Sequence, residues 1–411
     1  MKAICLIVQN IYDIDPRVRR KAEALVASGY HVDVLALRGP RGEKCYRLNG
    51  VNIRTMALGK KRGALSRYLL EFAAFYLWVF LQVSWETLRK RYVVIDVNTL
   101  PDFLIFAPIL AKWLGAKLIL DMHEIAPEFY ISKYGCPPDA APVRLLRLVE
   151  HLSMMFADRV ITINEPIETL LTSRGLPPWK STILMNAVDE TRFCAWVNSS
   201  ETRKASDQPA FVMIYHGTLT HIYGLDIAIE AFALAHKDMP GAELWILGSG
   251  TAKSGLAELA RATGTETKIR LIGQVDASDI PAWLSRSDAG ILPIRQDVFL
   301  DFAFPNKLPE FIVMGKPVIV SRLRTIQHYF SEDALAYFDP GNPANLASQM
   351  IRLYRDSQLR RSLSENARLQ YAPMRWELMR NRYIALIEEL SGQTGRLATE
   401  ESPCNPSAEV V

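Results

Sequence analysis

Short apolar runs alternate with helix-length segments from the first residues of the chain. Ala3 to Val8, Val18 to Ser28 and Val32 to Leu37 read as strand, helix and strand, the rhythm of βαβ units in a parallel sheet. Asp15-Pro16 sets the helix start: the carboxylate can accept from free N–H groups of the first turn, and proline suits the first helical position. Gly29 closes the helix. Val93 to Val97, Lys117 to Leu120, Val160 to Ile163 and Thr182 to Leu184 are further strands, rich in Leu and β-branched residues as doubly buried strands are. After Ala195 the chain turns polar (VNSSETRKASDQP) and loses periodicity. The rhythm restarts with Phe211 to Tyr215, a helix over Leu225 to His236, and Glu243 to Leu247. Strands follow at Ile269 to Ile272, Ala289 to Leu292, Pro317 to Val320 and Ala334 to Phe338, and an amphipathic helix at Trp376 to Leu390. The expected organisation is a parallel α/β domain over 1–195, a linker over 196–209, a second parallel α/β domain over 210–375, a last helix over 376–390 and a disordered tail over 391–411.

Composition narrows the function classes. The 411 residues suit two or three domains, and 49% hydrophobic with 22% charged residues is ordinary for globular chains. A net charge of +4 is too mild to argue for nucleic acid. The five cysteines are scattered, odd in number and without a CxxC pair, which argues against a disulfide framework or zinc site and suits a reducing compartment. Met1 to Gln9 is too short for a secretory signal, and Leu69 to Val83, interrupted by Glu71 and Gln82, is too short to span a bilayer. Its aromatics spread around the helix, and Lys60-Lys61-Arg62, Arg67 and Arg89-Lys90-Arg91 bracket it. Either the helix is buried all round, or one side leans on an anionic membrane surface.

Ligands of open parallel sheets bind beyond the carboxyl ends of the strands, so the loops there carry the candidate chemistry. Asp121-Met122-His123-Glu124 puts a histidine between carboxylates, although a plain loop histidine fits the local sequence as well. His216-Gly217-Thr218 offers a glycine for close backbone approach and a hydroxyl for phosphate, and Gly248-Ser249-Gly250 offers exposed N–H groups or simply a tight turn. Lys307 and Glu310, three apart, share one face if a helix starts there, as a phosphate-holding pair or as an ordinary ion pair.

Asp15-Pro16-Arg17-Val18, Asp121-x-His123-Glu124, Asn186-Ala187-Val188-Asp189-x-x-x-Phe193, His216-Gly217-Thr218-Leu219 with Gly224-Leu225-Asp226, and Pro305-Asn306-Lys307-Leu308-x-Glu310 ahead of Gly315-Lys316-Pro317-Val318 come in a telling order. In that order and spacing the chain resembles the family-four glycosyltransferases over roughly residues 1 to 390. The resemblance implies an α/β GT-B fold, two Rossmann-like parallel-sheet domains facing a central cleft. It also implies a nucleotide-sugar donor, UDP- or GDP-linked, retention of anomeric configuration, no metal or other cofactor, and a last helix that crosses back onto the first domain. Carried over, Glu310 holds the donor ribose, His123 lies near the reacting sugar, and Gly217 and Gly248 line the nucleotide pocket. Two departures stand out. Phe302 occupies the position of a first glutamate eight residues before Glu310, leaving Asp301 as its substitute, and Thr218 and Tyr223 stand where a basic pair is expected. Lys307 and Arg295 then become the diphosphate candidates. The expected acceptor is lipid-linked or a glycan, met in the cytoplasm or at the inner membrane face. A catalytically idle scaffold of polysaccharide assembly is the alternative. A nicotinamide oxidoreductase lacks its G-x-G-x-x-G turn after Ala3 to Val8. Asp13-Ile14-Asp15 is not read as a metal pair, because Asp15 serves as a helix cap.

Overall fold

Two parallel sheets, each with its own core, organise the computed structural model, which describes residues 1–40, 42–58, 65–197 and 209–392. Of the described residues, the first unit comprises Met1–Asn186 and those from Glu377 to Gly392, and the second Ala187–Trp376. The first sheet contains β1 (Ala3–Ile11), β2 (His31–Leu37), β3 (Cys45–Leu48), β4 (Val51–Met56), β5 (Val94–Asn98), β6 (Lys117–Met122), β7 (Arg159–Thr162) and β8 (Ser181–Ile183), ordered β3-β4-β2-β1-β5-β6-β7-β8. The second contains β9 (Phe211–His216), β10 (Ala242–Leu247), β11 (Ile269–Gly273), β12 (Ala289–Leu292), β13 (Val318–Ser321) and β14 (Ala336–Phe338), ordered β11-β10-β9-β12-β13-β14. Central strands are covered on both faces: Ile4, Cys5, Leu6 and Ile7 of β1 are wholly buried, which is why they read as an unbroken apolar run.

Asp15 caps helix Pro16–Ala27 by accepting from the Val18 N–H at 3.1 Å, with Pro16 at the first position. The parallel sheets are as expected, with one addition at an edge. β3 runs antiparallel to β4, turned at Asn49-Gly50 with positive φ at both residues, and extends the sheet at its edge. The inter-unit boundary also falls earlier than residue 195. Helix Thr191–Val197 belongs to the second unit, where Phe193 is buried, Arg192 donates to the Ala277 carbonyl at 2.9 Å and Tyr371 Oη accepts from the Val188 N–H at 3.2 Å. Residues 198–208 of the expected linker, 393–411 of the expected tail, and the basic run Lys60-Lys61-Arg62 lie outside the described residues. In the first unit the last helix, Trp376–Ser391, seats Tyr383 in the core, and Arg382 donates to the Ile183 carbonyl at 3.0 Å.

Helix Leu65–Lys90 is buried on one side only. Phe75, Val79 and Val83 face the core and Phe72 and Tyr76 pack against Phe103, while Leu70, Leu77, Leu81, Trp85 and Leu88 are exposed. Among the described residues no helix is long and apolar enough to cross a membrane.

Two buried acids tie stability of this unit to pH. Asp102 is buried with Oδ1 lacking a hydrogen-bond partner, and burial followed by the charge of Glu150 pushes its pKa up to about 8. Glu150 meets Arg174 at 3.1 Å, yet burial outweighs that cation and moves the acid to about 7. The folded protein therefore keeps protons that the unfolded chain releases near pH 4, so this contribution is complete below about pH 4 and is lost as pH rises through 7 to 8. The slope is at most about 1.4 kcal/mol per pH unit for each proton. Urea midpoints should accordingly fall between pH 5 and pH 8, and Asp102→Asn, neutral at every pH, should flatten that fall; an unchanged slope would remove Asp102 from the account.

Candidate functional site

In the second unit the chain runs outward in both directions from the β9–β12 pair, so the carboxyl ends of these strands mark the crevice where such sheets bind ligands. His216 ends β9. It is buried, edge-on to Phe311 with centroids 5.3 Å apart, and its Nε2 lies 3.3 Å from Glu310 Oε2 without hydrogen-bond geometry. Burial and the nearby Lys307 push its pKa down to about 3, so the ring is neutral at physiological pH.

Lys307 and Glu310 lie one turn apart on helix Lys307–Val313. The lysine passes beneath Gly217, where a Cβ would sit 2.1 Å from its Cε, and brings Nζ to 4.3 Å from the Tyr223 ring centroid and 5.2 Å from that of Tyr215. Burial lowers its pKa to about 8 against the opposing pull of Glu310. Tyr223, standing where a base was expected, thus forms one wall of the lysine's aromatic seat. Gly248 is needed for close approach of two loops: its φ is +136°, and a Cβ there would fall 1.8 Å from the Gly217 carbonyl oxygen. Thr218 is exposed, its carbonyl accepting from Tyr215 Oη at 2.9 Å.

The structure thus gathers Gly217, Thr218, Gly248, Lys307 and Glu310 at the ends of β9 and β10. Arg295, after β12, is already engaged. Its Nε donates to the His221 carbonyl at 3.1 Å and its guanidinium pairs with Asp226, so any phosphate there would share it with that carboxylate. Asp301 accepts from Gln296 at 3.2 Å in the same connection.

His123 belongs to the first unit, just past β6. Its backbone N–H donates to Thr99 Oγ1 at 3.2 Å, and its ring is 19% exposed. Behind it lies a group of buried charges. Arg17 donates to both Asp121 oxygens at 3.0 and 2.8 Å, and Lys21 reaches Asp96 at 2.8 Å, Asn98 at 2.7 Å and Asp121 at 2.5 Å. Tyr383 donates to Asp96 at 2.7 Å. Burial alone would raise the Asp121 carboxyl, but Arg17 and Lys21 hold it well below the usual carboxylate range. Burial and Asp96 drive the Tyr383 phenol well above its ordinary value.

Lys21, Asp96, Asn98 and Tyr383 were not singled out from sequence, and Arg17 and His216 entered only as members of motifs without a role of their own. A signal existed for some: Arg17 and Lys21 are four apart on the apolar face of their helix with Val18, Ala22 and Leu25, and Asp96 and Asn98 alternate within a buried strand. Among the described residues, no group of three or more His, Cys, Asp or Glu is placed to hold a metal ion.

Residues 14–187 match the family model described as a glycosyl transferase 4-like domain, and 198–370 match that described as glycosyl transferases group 1. Together they account for most of both units, and the chain belongs to the group 1, family-four type of glycosyltransferase. It is similar to glycogen synthase of Mycobacterium tuberculosis, 26% identical over 231 residues that make up 56% of this chain and 52% of that protein. It therefore spans about half the length of this curated relative. Among solved structures it superposes on sucrose-phosphate synthase from Thermosynechococcus elongatus (TM-score 0.71, 18% identity, 95% of this chain and 100% of that one). It also superposes on HepE from Anabaena in complex with UDP (TM-score 0.69, 15% identity, 95% and 100%). The fold is GT-B.

The glycine contacts give a direct check. Gly248→Ala forces a Cβ into a carbonyl at positive φ and should cost ~2 kcal/mol or more. Gly255→Ala, in helix Lys253–Ala262 with open space around the new methyl, should be neutral or stabilise by about 0.5–1 kcal/mol. Thermal unfolding of the two variants should separate them clearly.

Proposed function

We propose that this glycosyltransferase takes its sugar from a nucleotide diphosphate donor bound at the carboxyl ends of β9 and β10. The observation that carries this reading is the half-buried lysine, seated against two tyrosine rings, one helical turn from an acid. Lys307 is largely desolvated, so a diphosphate arriving beside it meets a cation poorly screened by water, and charge developing on the leaving phosphate is stabilised there. Glu310 can accept two hydrogen bonds from vicinal ribose hydroxyls. HepE, of the same fold, has been solved with UDP and with UDP-glucose, which favours a uridine donor here. His123, on the first unit, is assigned to the reacting sugar by the family motif. Nucleotide affinity should be flat below about pH 8 and fall above it, because the diphosphate needs Lys307 protonated. Calorimetry with UDP, GDP, ADP and CMP across pH 6.5–9.5 should pick out one nucleotide. Lys307→Met should weaken it at least tenfold and abolish the pH dependence, and Glu310→Ala should weaken it and move the fall to lower pH, because the carboxylate that helps Lys307 keep its proton is gone. Binding with no sugar transfer or donor hydrolysis would favour the idle scaffold.

We further propose a lipid-linked or glycan acceptor met at a membrane face. The support is the row Leu70, Leu77, Leu81, Trp85 and Leu88, which leaves one side of a long helix apolar and exposed. Arg89 lies against Trp85, 5.3 Å from its ring centroid, and exposed Arg67 stands near the helix start. Such a stripe with basic ends suits insertion into the headgroup region of an anionic leaflet. Co-sedimentation with anionic vesicles should weaken with salt and disappear in the Leu77→Asp, Leu81→Asp double variant. Equal recovery of both proteins in the pellet would overturn this reading.

A further inference from the structure

We infer that His123 presents its Nδ1 as a bare hydrogen-bond acceptor, and that Asp121 and Asn98 are the positioning residues that select this tautomer. The inference deepens the assignment of His123 to the reacting sugar and rests on that reading for its functional meaning. Two oxygens face Nε2 of the ring, Asn98 Oδ1 at 3.2 Å and Asp121 Oδ2 at 3.4 Å.

Neither neighbour can act as a donor. Asn98 is held in one orientation, because its Nδ2 donates to the Ile7 carbonyl at 3.2 Å and to Asp96 at 3.3 Å, and its Oδ1 accepts from Lys21 at 2.7 Å. Flipping the amide would turn its NH2 toward the lysine ammonium. Asp121 is a carboxylate gripped by Arg17 and Lys21. Two acceptors converging on one ring nitrogen require its proton, and a neutral imidazole has only one, so Nδ1 is left with its lone pair. The backbone fixes the ring's root: the His123 N–H is bonded to Thr99 Oγ1, and the Thr99 N–H donates to the Asp121 carbonyl at 3.0 Å.

The consequence is chemical selection. A bare Nδ1 accepts from a hydroxyl and repels a phosphate or carboxylate oxygen, so the group that meets His123 is a sugar or acceptor O–H. The charged groups around the ring are Asp121 and Glu124, with Arg17, Lys21 and Asp96 behind them. Tyr383 of the last helix, through Asp96, steadies the lysine that orients Asn98.

The test is long-range 15N–1H correlation on full-length protein labelled at histidine ring nitrogens, at a pH where the ring is neutral. The seven histidines are distinguished by the signal lost in His123→Asn. The expected result is a protonated Nε2 and a pyridine-like Nδ1 for His123; a proton on Nδ1, or an even mixture, overturns the inference. In Asp121→Asn the tautomers of the neutral ring should mix, because the carboxylate that favours the Nε2 proton is gone. An unchanged tautomer ratio would leave Asp121 a structural role only. The wild-type spectrum requires no variant, so the tautomer remains decidable if Asp121→Asn fails to fold. It is also independent of transfer: full transfer in His123→Asn would refute the assignment to the reacting sugar while the tautomer stood.

Discussion

Taking two cations and two carboxylates out of water costs several kcal/mol per ion unless each finds partners on nearly every side, and the first unit is arranged around meeting that demand. Lys21 and Asp121 are wholly buried, Arg17 is nearly so, and Asp96 is shared between Lys21 and the hydroxyl of Tyr383. The residues come from the first helix, β5, β6 and the last helix, so the cluster forms only when all four elements are in place. Its value lies in specificity of arrangement more than in net stability. An apolar core of equal volume would hold the fold as well, but would not orient Asn98 and Asp121 toward His123.

The second unit solves a different problem, which is how to bring a lysine and an acid beneath a strand end with little water. Glycines at 217 and 248 let the β9 and β10 loops touch, and the space under Gly217 is filled by the lysine stem. Two tyrosines seat its ammonium in place of solvent. Burial then lowers the proton affinity of both Lys307 and His216, leaving one cation and one neutral ring around the Glu310 carboxylate.

Between core and surface, helix Leu65–Lys90 illustrates why total hydrophobicity misleads. Its apolar residues surround the axis, yet only the Phe75, Val79 and Val83 side has a partner in its own unit. The helix is not apolar enough along its length to cross a bilayer, yet its exposed side is too apolar for an ordinary solvated face.

What the sequence by itself determined is local. Strand and helix alternation, the Asp15 cap, the two α/β units and the loops at 121–124, 216–218, 248 and 307–310 are all written in residues within a turn or two of one another, where propensity and side-chain period act directly. The tertiary structure decided what depends on distant residues. Arg17 meets Asp121 across 104 positions and Tyr383 meets Asp96 across 287, separations at which local pattern has no leverage. The β3–β4 hairpin was missed although Val51–Met56 alternates buried and half-buried positions, because edge strands lack the continuous apolar signal of the sheet centre. The unit boundary moved to Asn186 for the same kind of reason: polarity marks where a chain meets solvent, but packing of Val188 and Phe193 decides which core a segment joins. The proton states of Lys307, His216 and Asp121 followed only from folding, since they are set by how much water is excluded and which charges are brought within a few ångströms.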